Sequence, residues 1–330
     1  MRRAAFVFVL FAIPLLVAAL GLLAHEAMQR FERPGPLVQE TTVVIPRGAG
    51  LEAIAQSLAV AGAIEAPWLF VLGVRYEGRA RDLKAGEYSL SAGISMRQAM
   101  ELLAAGRTVA HRLTVPEGVT SLRLVALIND AQGLDGKIEA IPAEGSLLPE
   151  TYHYSLNDSR DELLARMAQA RDSLMAELWP KRSEGLPLKS PEEAVILASI
   201  VERETAVPEE RALVAGVFIN RLKKGMRLQS DPTVIYGLSS GLGQLDRALL
   251  RKDLKVATPY NTYMIDGLPP GPIANPGRAA LEAVLHPAET EFLYFVADGS
   301  GGHVFAKTLK EHNRNAAKWR KIRDKRSQSE

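Results

Sequence analysis

Two glutamates, Glu202 and Glu204, close the run Ser190-Pro-Glu-Glu-Ala-Val-Ile-Leu-Ala-Ser-Ile-Val-Glu-Arg-Glu-Thr205. Seven of the eight residues from Ala194 to Val201 are apolar. That is too many for a surface stripe, so the run reads as a helix buried on most sides. A carboxyl group delivered from such a wall loses hydration mainly in its charged form. Its pKa then rises toward the range of a general acid working near neutrality. Glu202 is the expected acid. Glu204 lies two residues on, about 200° around a helix, so the two carboxyl groups do not face one bond and do not read as a two-carboxylate glycosidase site. On these residues alone a second reading stays open, in which both are polar residues of a fraying last turn.

Other polar groups follow downstream. Asn220 interrupts the apolar side of a second helix expected over about residues 208–224, with Gly225 as its stop. Gln229, Ser230 and Asp231 stand together in an extended stretch before Pro232. Amides and carboxylates on fixed backbone suit sugar hydroxyls and acetamido groups, and the same residues also make an ordinary turn. Residues 258–277 hold five prolines and three glycines, enough constraint to give a long loop one shape. Tyr260 and Tyr263 lie near its start, where tyrosines stack on sugar rings or pack against the core. His303 and His312 do not read as metal ligands, because the six histidines show no His-x-x-x-His pair and no carboxylates at ligand spacing.

Several elements must position these groups. Ser190 is an N-cap, Pro191 occupies the first helical position and Glu193 completes a capping box, so a helix starts there. A further helix is expected over about 161–178. A hairpin over 292–306 turns at Asp298-Gly-Ser-Gly-Gly302 and leads into a terminal helix. Upstream, three segments align on Gly48, Gly93 and Gly118. Each has a strand residue three before the glycine (Ile45, Leu90, Val115) and an acceptable N-cap two after it (Gly50, Ser95, Thr120). Apolar residues follow at helical spacing, so each unit reads as strand, tight turn, helix.

The chain has 330 residues, 47% hydrophobic and 24% charged, normal for a folded protein of two domains. Forty basic and 38 acidic residues nearly cancel, so no overall field favours nucleic acid, and the basic run from Lys318 to Arg326 reads as the solvated face of the last helix. There are no cysteines, which excludes disulfides, thiolate metal sites and a cysteine nucleophile. Ala4–Ala24 carries no charge over 21 residues, the length of a transmembrane helix and longer than a signal-peptide core. Arg2 and Arg3 before it place residues 1–3 inside and the remainder outside. The expected fold class is α+β. After the transmembrane helix over 4–24 comes a linker over 25–40, then a repeat-bearing α+β region over 41–150, then an α+β catalytic domain over 151–330.

The first two repeats are similar to the LysM module that binds glycan backbones, on Val43-Val-Ile-Pro-Arg-Gly48 and Leu83-Lys-Ala-Gly-Glu-Tyr-Ser-Leu90. The chain as a whole resembles the endolytic murein transglycosylase family, the YceG-like or MltG proteins. The resemblance rests on Ala198-Ser-Ile-Val-Glu-Arg-Glu-Thr205, Val217-Phe-Ile-Asn-Arg-Leu222, Gly225-Met-Arg-Leu-Gln-Ser-Asp-Pro-Thr-Val234, Pro259-Tyr-Asn-Thr-Tyr263, Gly267-Leu-Pro-Pro-Gly271 and Leu293-Tyr-Phe-Val-Ala-Asp298. It implies cofactor-free cleavage of the β-1,4 bond between N-acetylmuramic acid and N-acetylglucosamine in nascent strands at the inner membrane, with a peptidoglycan synthase as companion. It implies Glu202 as the single acid–base, leaving 1,6-anhydro ends that terminate strand growth. It also adds Asn261 to Asn220, Gln229, Ser230, Asp231, Tyr260 and Tyr263 as the expected substrate-binding set. A hydrolytic muramidase with Asp231 as second carboxylate, and a membrane-tethered glycan-binding adaptor, are the alternative readings.

Overall fold

The computed structural model describes the backbone of residues 2–326 and the side chains of residues 13–324. The chain divides into two compact units, residues 1–111 with 154–157, and residues 112–153 with 158–330. The expected boundary near 150 thus gives way to one near 111. The reason lies in a buried polar network, described below, that ties residues 118–147 to the second unit.

The first unit opens with α1 (Arg2–Glu32), followed by β1 (Thr41–Ile45), α2 (Leu51–Val60), α3 (Pro67–Tyr76), β2 (Gly86–Leu90) and α4 (Met96–Ala105). β1 and β2 pair antiparallel, with Thr41 opposite Leu90 and Ile45 opposite Gly86. Alternate residues Val43, Ile45, Tyr88 and Leu90 turn inward, the period of two that a half-buried strand requires. They meet Leu58, Phe70, Met100 and Leu103 in one core. Phe31 at the end of α1 presses on Gly73 of α3, where an added Cβ would come within 2.3 Å of the ring. No helix among the described residues is long and apolar enough to cross a membrane. The side chains of residues 4–12, within the expected span Ala4–Ala24, lie outside the described residues.

In the second unit come β3 (His111–Thr114), α5 (Ser121–Asp130), β4 (Leu134–Asp135), β5 (Thr151–Tyr154), β6 (Asp158–Ser159), α6 (Arg160–Leu178), α7 (Pro191–Glu204), α8 (Arg211–Lys223), α9 (Asp231–Leu238), α10 (Arg278–Leu285), β7 (Tyr294–Ala297), β8 (His303–Ala306) and α11 (Leu309–Arg326). β3 and β5 run across the division between the units and pair with each other. The three strand–turn–helix repeats are present, with Gly48, Gly93 and Gly118 at φ of 77°, 69° and 73° and Gly50, Ser95 and Thr120 as N-caps. Each turn needs the left-handed backbone that glycine adopts without strain. Only Ser95 forms the full capping box, with Gln98.

The core of this unit is α7. Every residue from Ala194 to Val201 is buried, and α8, α9 and α10 pack around it. Ser190 caps its start through Glu193 N, while the Glu193 carboxylate reaches one residue further back, to Lys189 N. α9 and α10 are not anticipated in the sequence reading. Pro232 sits in the first turn of α9, so the phrase expected to be extended or a turn becomes a helix start at Asp231. Residues 258–277 pass without regular helix or strand, as their prolines require.

Ser199, fully buried in α7, accepts from Ile273 N and so fixes the proline-rich loop against the helix. Asn275, also fully buried, donates to Val119 O, Ser121 Oγ and Glu144 Oε1 and accepts from Leu147 N. Glu144 further accepts from Ser121 N at 2.7 Å and Tyr236 OH at 3.2 Å. Burial raises the pKa of Glu144 against these bonds. Replacing Asn275 by Leu orphans the buried Leu147 N–H and strips Glu144 of a donor, each costing about 1–3 kcal/mol. Chemical denaturation of Asn275→Leu should show a loss of at least one such increment. A loss within about 0.5 kcal/mol, typical of neutral surface changes, would contradict this role.

Candidate active site

Glu202 and Glu204 end α7 on opposite sides, as the 200° step dictates, and of the two it is Glu204 that lines a cleft. Glu202, the acid expected from sequence, is not among the residues that line either this cleft or a second one of about 480 Å³ formed by Glu117, Gly118, Val119 and Arg203. Its side chain is 5% exposed, accepts from Gly277 N at 2.9 Å and lies 3.6 Å from Arg211 Nη2. Burial raises its pKa and the Gly277 N–H opposes the rise.

Glu204 faces a cleft of about 380 Å³ whose walls include Arg221, Gln229, Asp231, Tyr263 and Tyr294. The Ser230 hydroxyl donates to its Oε1 at 2.5 Å. Burial pushes the Glu204 carboxyl up to about 7, and the charge of Asp231 adds to the rise, while the Ser230 bond and Arg221 work against it. A carboxyl poised there holds a proton near neutral pH and still releases it readily, the condition for one group to act as acid and then base.

Another wall of the cleft is set by Arg221 of α8, which sequence reasoning missed. Its side chain donates to Leu293 O, Arg227 O, Leu228 O and Gln229 Oε1 at 2.7–3.2 Å and its guanidinium lies over Tyr294, 5.1 Å from the ring centroid. A charged residue within the buried face of α8 was the available signal, since such a group needs dedicated acceptors. Gln229 adopts φ of 55°, uncommon for a residue with a Cβ. Arg221 on its side chain and Thr262 O on its N–H hold it there. Asp231 accepts from Tyr263 OH at 2.6 Å. Burial, followed by this bond, raises the tyrosine pKa.

The expected substrate-binding set therefore separates. Gln229, Asp231 and Tyr263 line the cleft, and Ser230, 1% exposed, sits behind Glu204. Asn220 donates to Thr290 O and Phe292 O, tying the approach to β7. The fully buried Asn261 spans Leu254 O and Val256 O. Tyr260 packs edge-on against Tyr236 with centroids 4.8 Å apart. These three shape the loops. β7 and β8 contribute Tyr294 and His303 to the cleft, and α11 contributes His312. Glu210 grips His303 through both N and Nδ1 at 2.7 Å and accepts from Thr205 Oγ1, joining the hairpin to the end of α7.

Residues 43–318 match the YceG-like family. The chain belongs to that family. It is 34% identical over 307 residues to the endolytic murein transglycosylase of Bacillus subtilis, covering 83% of each chain. It is 31% identical over 325 residues to the endolytic murein transglycosylase of Streptococcus pneumoniae D39, spanning 84% of this chain and 58% of that one. The crystal structure of a YceG-like protein from Listeria monocytogenes superposes with a TM-score of 0.52 at 32% identity, covering 84% of this chain and 99% of that one. The α+β architecture described above is thus a YceG-like one. The cleft at Glu204 is built within the matched region.

Between pH 4.5 and about 7 the folded protein holds a proton on Glu204 that the unfolded chain releases. Its contribution to stability is therefore lost as pH rises through that window and stays lost above it. Glu204→Gln removes this cost. The variant's unfolding free energy relative to wild type, from chemical denaturation, should be more favourable at pH 8 than at pH 5, by an amount on the order of 1–3 kcal/mol. An unchanged difference at the two pH values would refute the raised pKa.

Proposed function

We propose that this chain is an endolytic lytic transglycosylase of peptidoglycan, and that Glu204 is its single acid–base. One observation carries the reading. Of the two glutamates ending α7, Glu204 is the one that meets the cleft, with its carboxyl pushed up to about 7. The names of the Bacillus and Streptococcus relatives support the substrate. Protonated Glu204 gives its proton to the glycosidic oxygen linking muramic acid to the next N-acetylglucosamine as the C1–O bond breaks. The resulting carboxylate takes the proton from the muramic C6 hydroxyl while that oxygen bonds to C1. The glutamate ends protonated, no water enters, and the product is a 1,6-anhydro end that stops strand growth.

Around the reacting bond, Gln229, Asp231 and Tyr263 supply an amide, a carboxylate and a phenol for the hydroxyl and acetamido groups of adjoining sugars. The Ser230 hydroxyl orients the Glu204 carboxyl. A hydrolytic muramidase using Asp231 as base has one observation in its favour, the shared cleft. Its products would carry reducing muramic ends.

The anchor belongs to the same reading. Ile13, Leu15, Leu16, Val17, Leu20, Leu22 and Leu23 of α1 are 56–74% exposed, a surface suited to lipid, so α1 serves as a single membrane pass with residues 1–3 inside and the chain after it outside, beside a synthase that supplies the strand. The β-α-α-β order of the first unit suits a LysM-like role in recruiting glycan.

Glu204→Gln keeps shape and the Ser230 acceptor but can neither give nor take the proton. General acid–base assistance is worth about 10²–10⁴-fold, and cleavage of purified strands should fall by at least the upper figure with glycan binding retained. Glu202→Gln should keep far more activity. An active Glu204→Gln beside an inert Glu202→Gln would reverse the assignment. Mass spectrometry of wild-type products should find ends lighter by one water than hydrolytic ones, and reducing muramic ends would establish the muramidase instead.

A further inference from the structure

Among the described residues, α3 carries an apolar stripe that is largely exposed. Trp68, Leu72 and Tyr76, four residues apart on one helix, are 65%, 54% and 79% exposed. Two observations say which end of the stripe lies where. An apolar groove is walled by Ala24, Ala27, Met28 and Phe31 of α1 and by Leu69, Leu72, Gly73 and Tyr76 of α3. A neighbouring polar groove joins Arg30, Arg33 and Pro34 to Glu65, Ala66 and Leu69. α3 therefore runs back along α1, its C-terminal end beside Ala24 and its N-terminal end beside Arg33. The Phe31 ring seated on Gly73 fixes this alignment.

Ala24 is also where the uncharged run of α1 ends, so the lower residues of the α3 stripe stand level with the point at which that helix leaves an apolar surrounding. Leu72 extends the exposed apolar surface of Ile13–Leu23 onto a second helix. Tyr76 offers a ring with a polar tip, the form that residues take at the boundary of hydrocarbon and headgroup. Arg81, exposed nearby, adds charge suited to lipid phosphates, while Arg75 is paired with Glu52.

We infer that the C-terminal end of α3 is a second membrane contact, in which Leu72 and Tyr76 enter the outer boundary of an anionic bilayer beside α1 and so fix the orientation of the first unit on the surface. The contact rests on the reading of α1 as the anchor. It adds to that reading a defined face of the first unit that meets the bilayer.

The absence of cysteine permits single labels without other changes. The full chain is reconstituted in vesicles of phosphatidylethanolamine and phosphatidylglycerol, with a nitroxide on a cysteine replacing Ile13, Val60, Leu72 or Tyr76 in turn. Collisions with oxygen and with a water-soluble nickel chelate are then compared. Ile13 reports the anchor, and Val60, 80% exposed at the end of α2, reports water. The inference expects Leu72 and Tyr76 to show nickel accessibility several-fold below Val60 and oxygen accessibility above it, with Ile13 deepest. Labels at 72 and 76 as wet as Val60 beside a lipid-embedded Ile13 would overturn the contact while leaving the anchor intact, and would point to a protein partner for the stripe. A wet Ile13 would overturn anchor and contact together.

Discussion

The burial of α7 on all sides is the constraint on which the second unit depends. A helix that exposes no face from Ala194 to Val201 has to be surrounded, and α8, α9, α10 and the proline-rich loop supply the surroundings. It can meet solvent or substrate only at its ends. The N-terminal end is closed by Ser190, Pro191 and Glu193. The C-terminal end, where the apolar run gives way to Glu-Arg-Glu, is the one place where a polar side chain leaves the core into space.

From that constraint the electrostatics follow. Carboxyl groups at the end of a buried helix are desolvated, and both glutamates are raised in pKa for that reason first. They differ in what answers the desolvation. Glu202 meets a backbone N–H and a guanidinium and is held inside the protein. Glu204 accepts from one hydroxyl and feels Arg221 only through its charge, with Asp231 adding negative charge nearby, so its carboxyl is pushed up to about 7 where it lines the cleft. One is a strut joining the starts of α8 and α10 to α7. The other lines the cleft.

The polar residues around the cleft divide in the same way. Arg221, Asn220, Asn261 and Asn275 are spent on backbone acceptors and donors, because a buried polar group without a partner is costly. Their work is to hold segments that have no regular structure of their own: 226–230, 258–277 and the approach to β7. Gln229 in a left-handed conformation and Asp231 bound to Tyr263 are positioned by those segments. The strained backbone at Gln229 is stored where the surroundings over-determine it.

How much of this was legible beforehand depended on the range of the interaction. The buried helix and its caps, the three strand–turn–helix repeats and the hairpin before α11 are local patterns, set by hydrophobic period, glycine φ and capping within a dozen residues, and they stand in the fold as read from sequence. The phrases shared with the YceG-like proteins also named the family correctly. α9 and α10 are short, eight residues each, and draw their stability from packing on α7 more than from pattern. The unit boundary was misplaced because the Asn275–Glu144 network joins residues 118–147 to a loop far along the chain, a link that no local composition reveals. Sequence alone determined that two glutamates must leave a buried helix about 200° apart. Which of them meets open space was decided only by tertiary structure, because that depends on where α9, Arg221 and the terminal hairpin stop filling the volume around the end of α7.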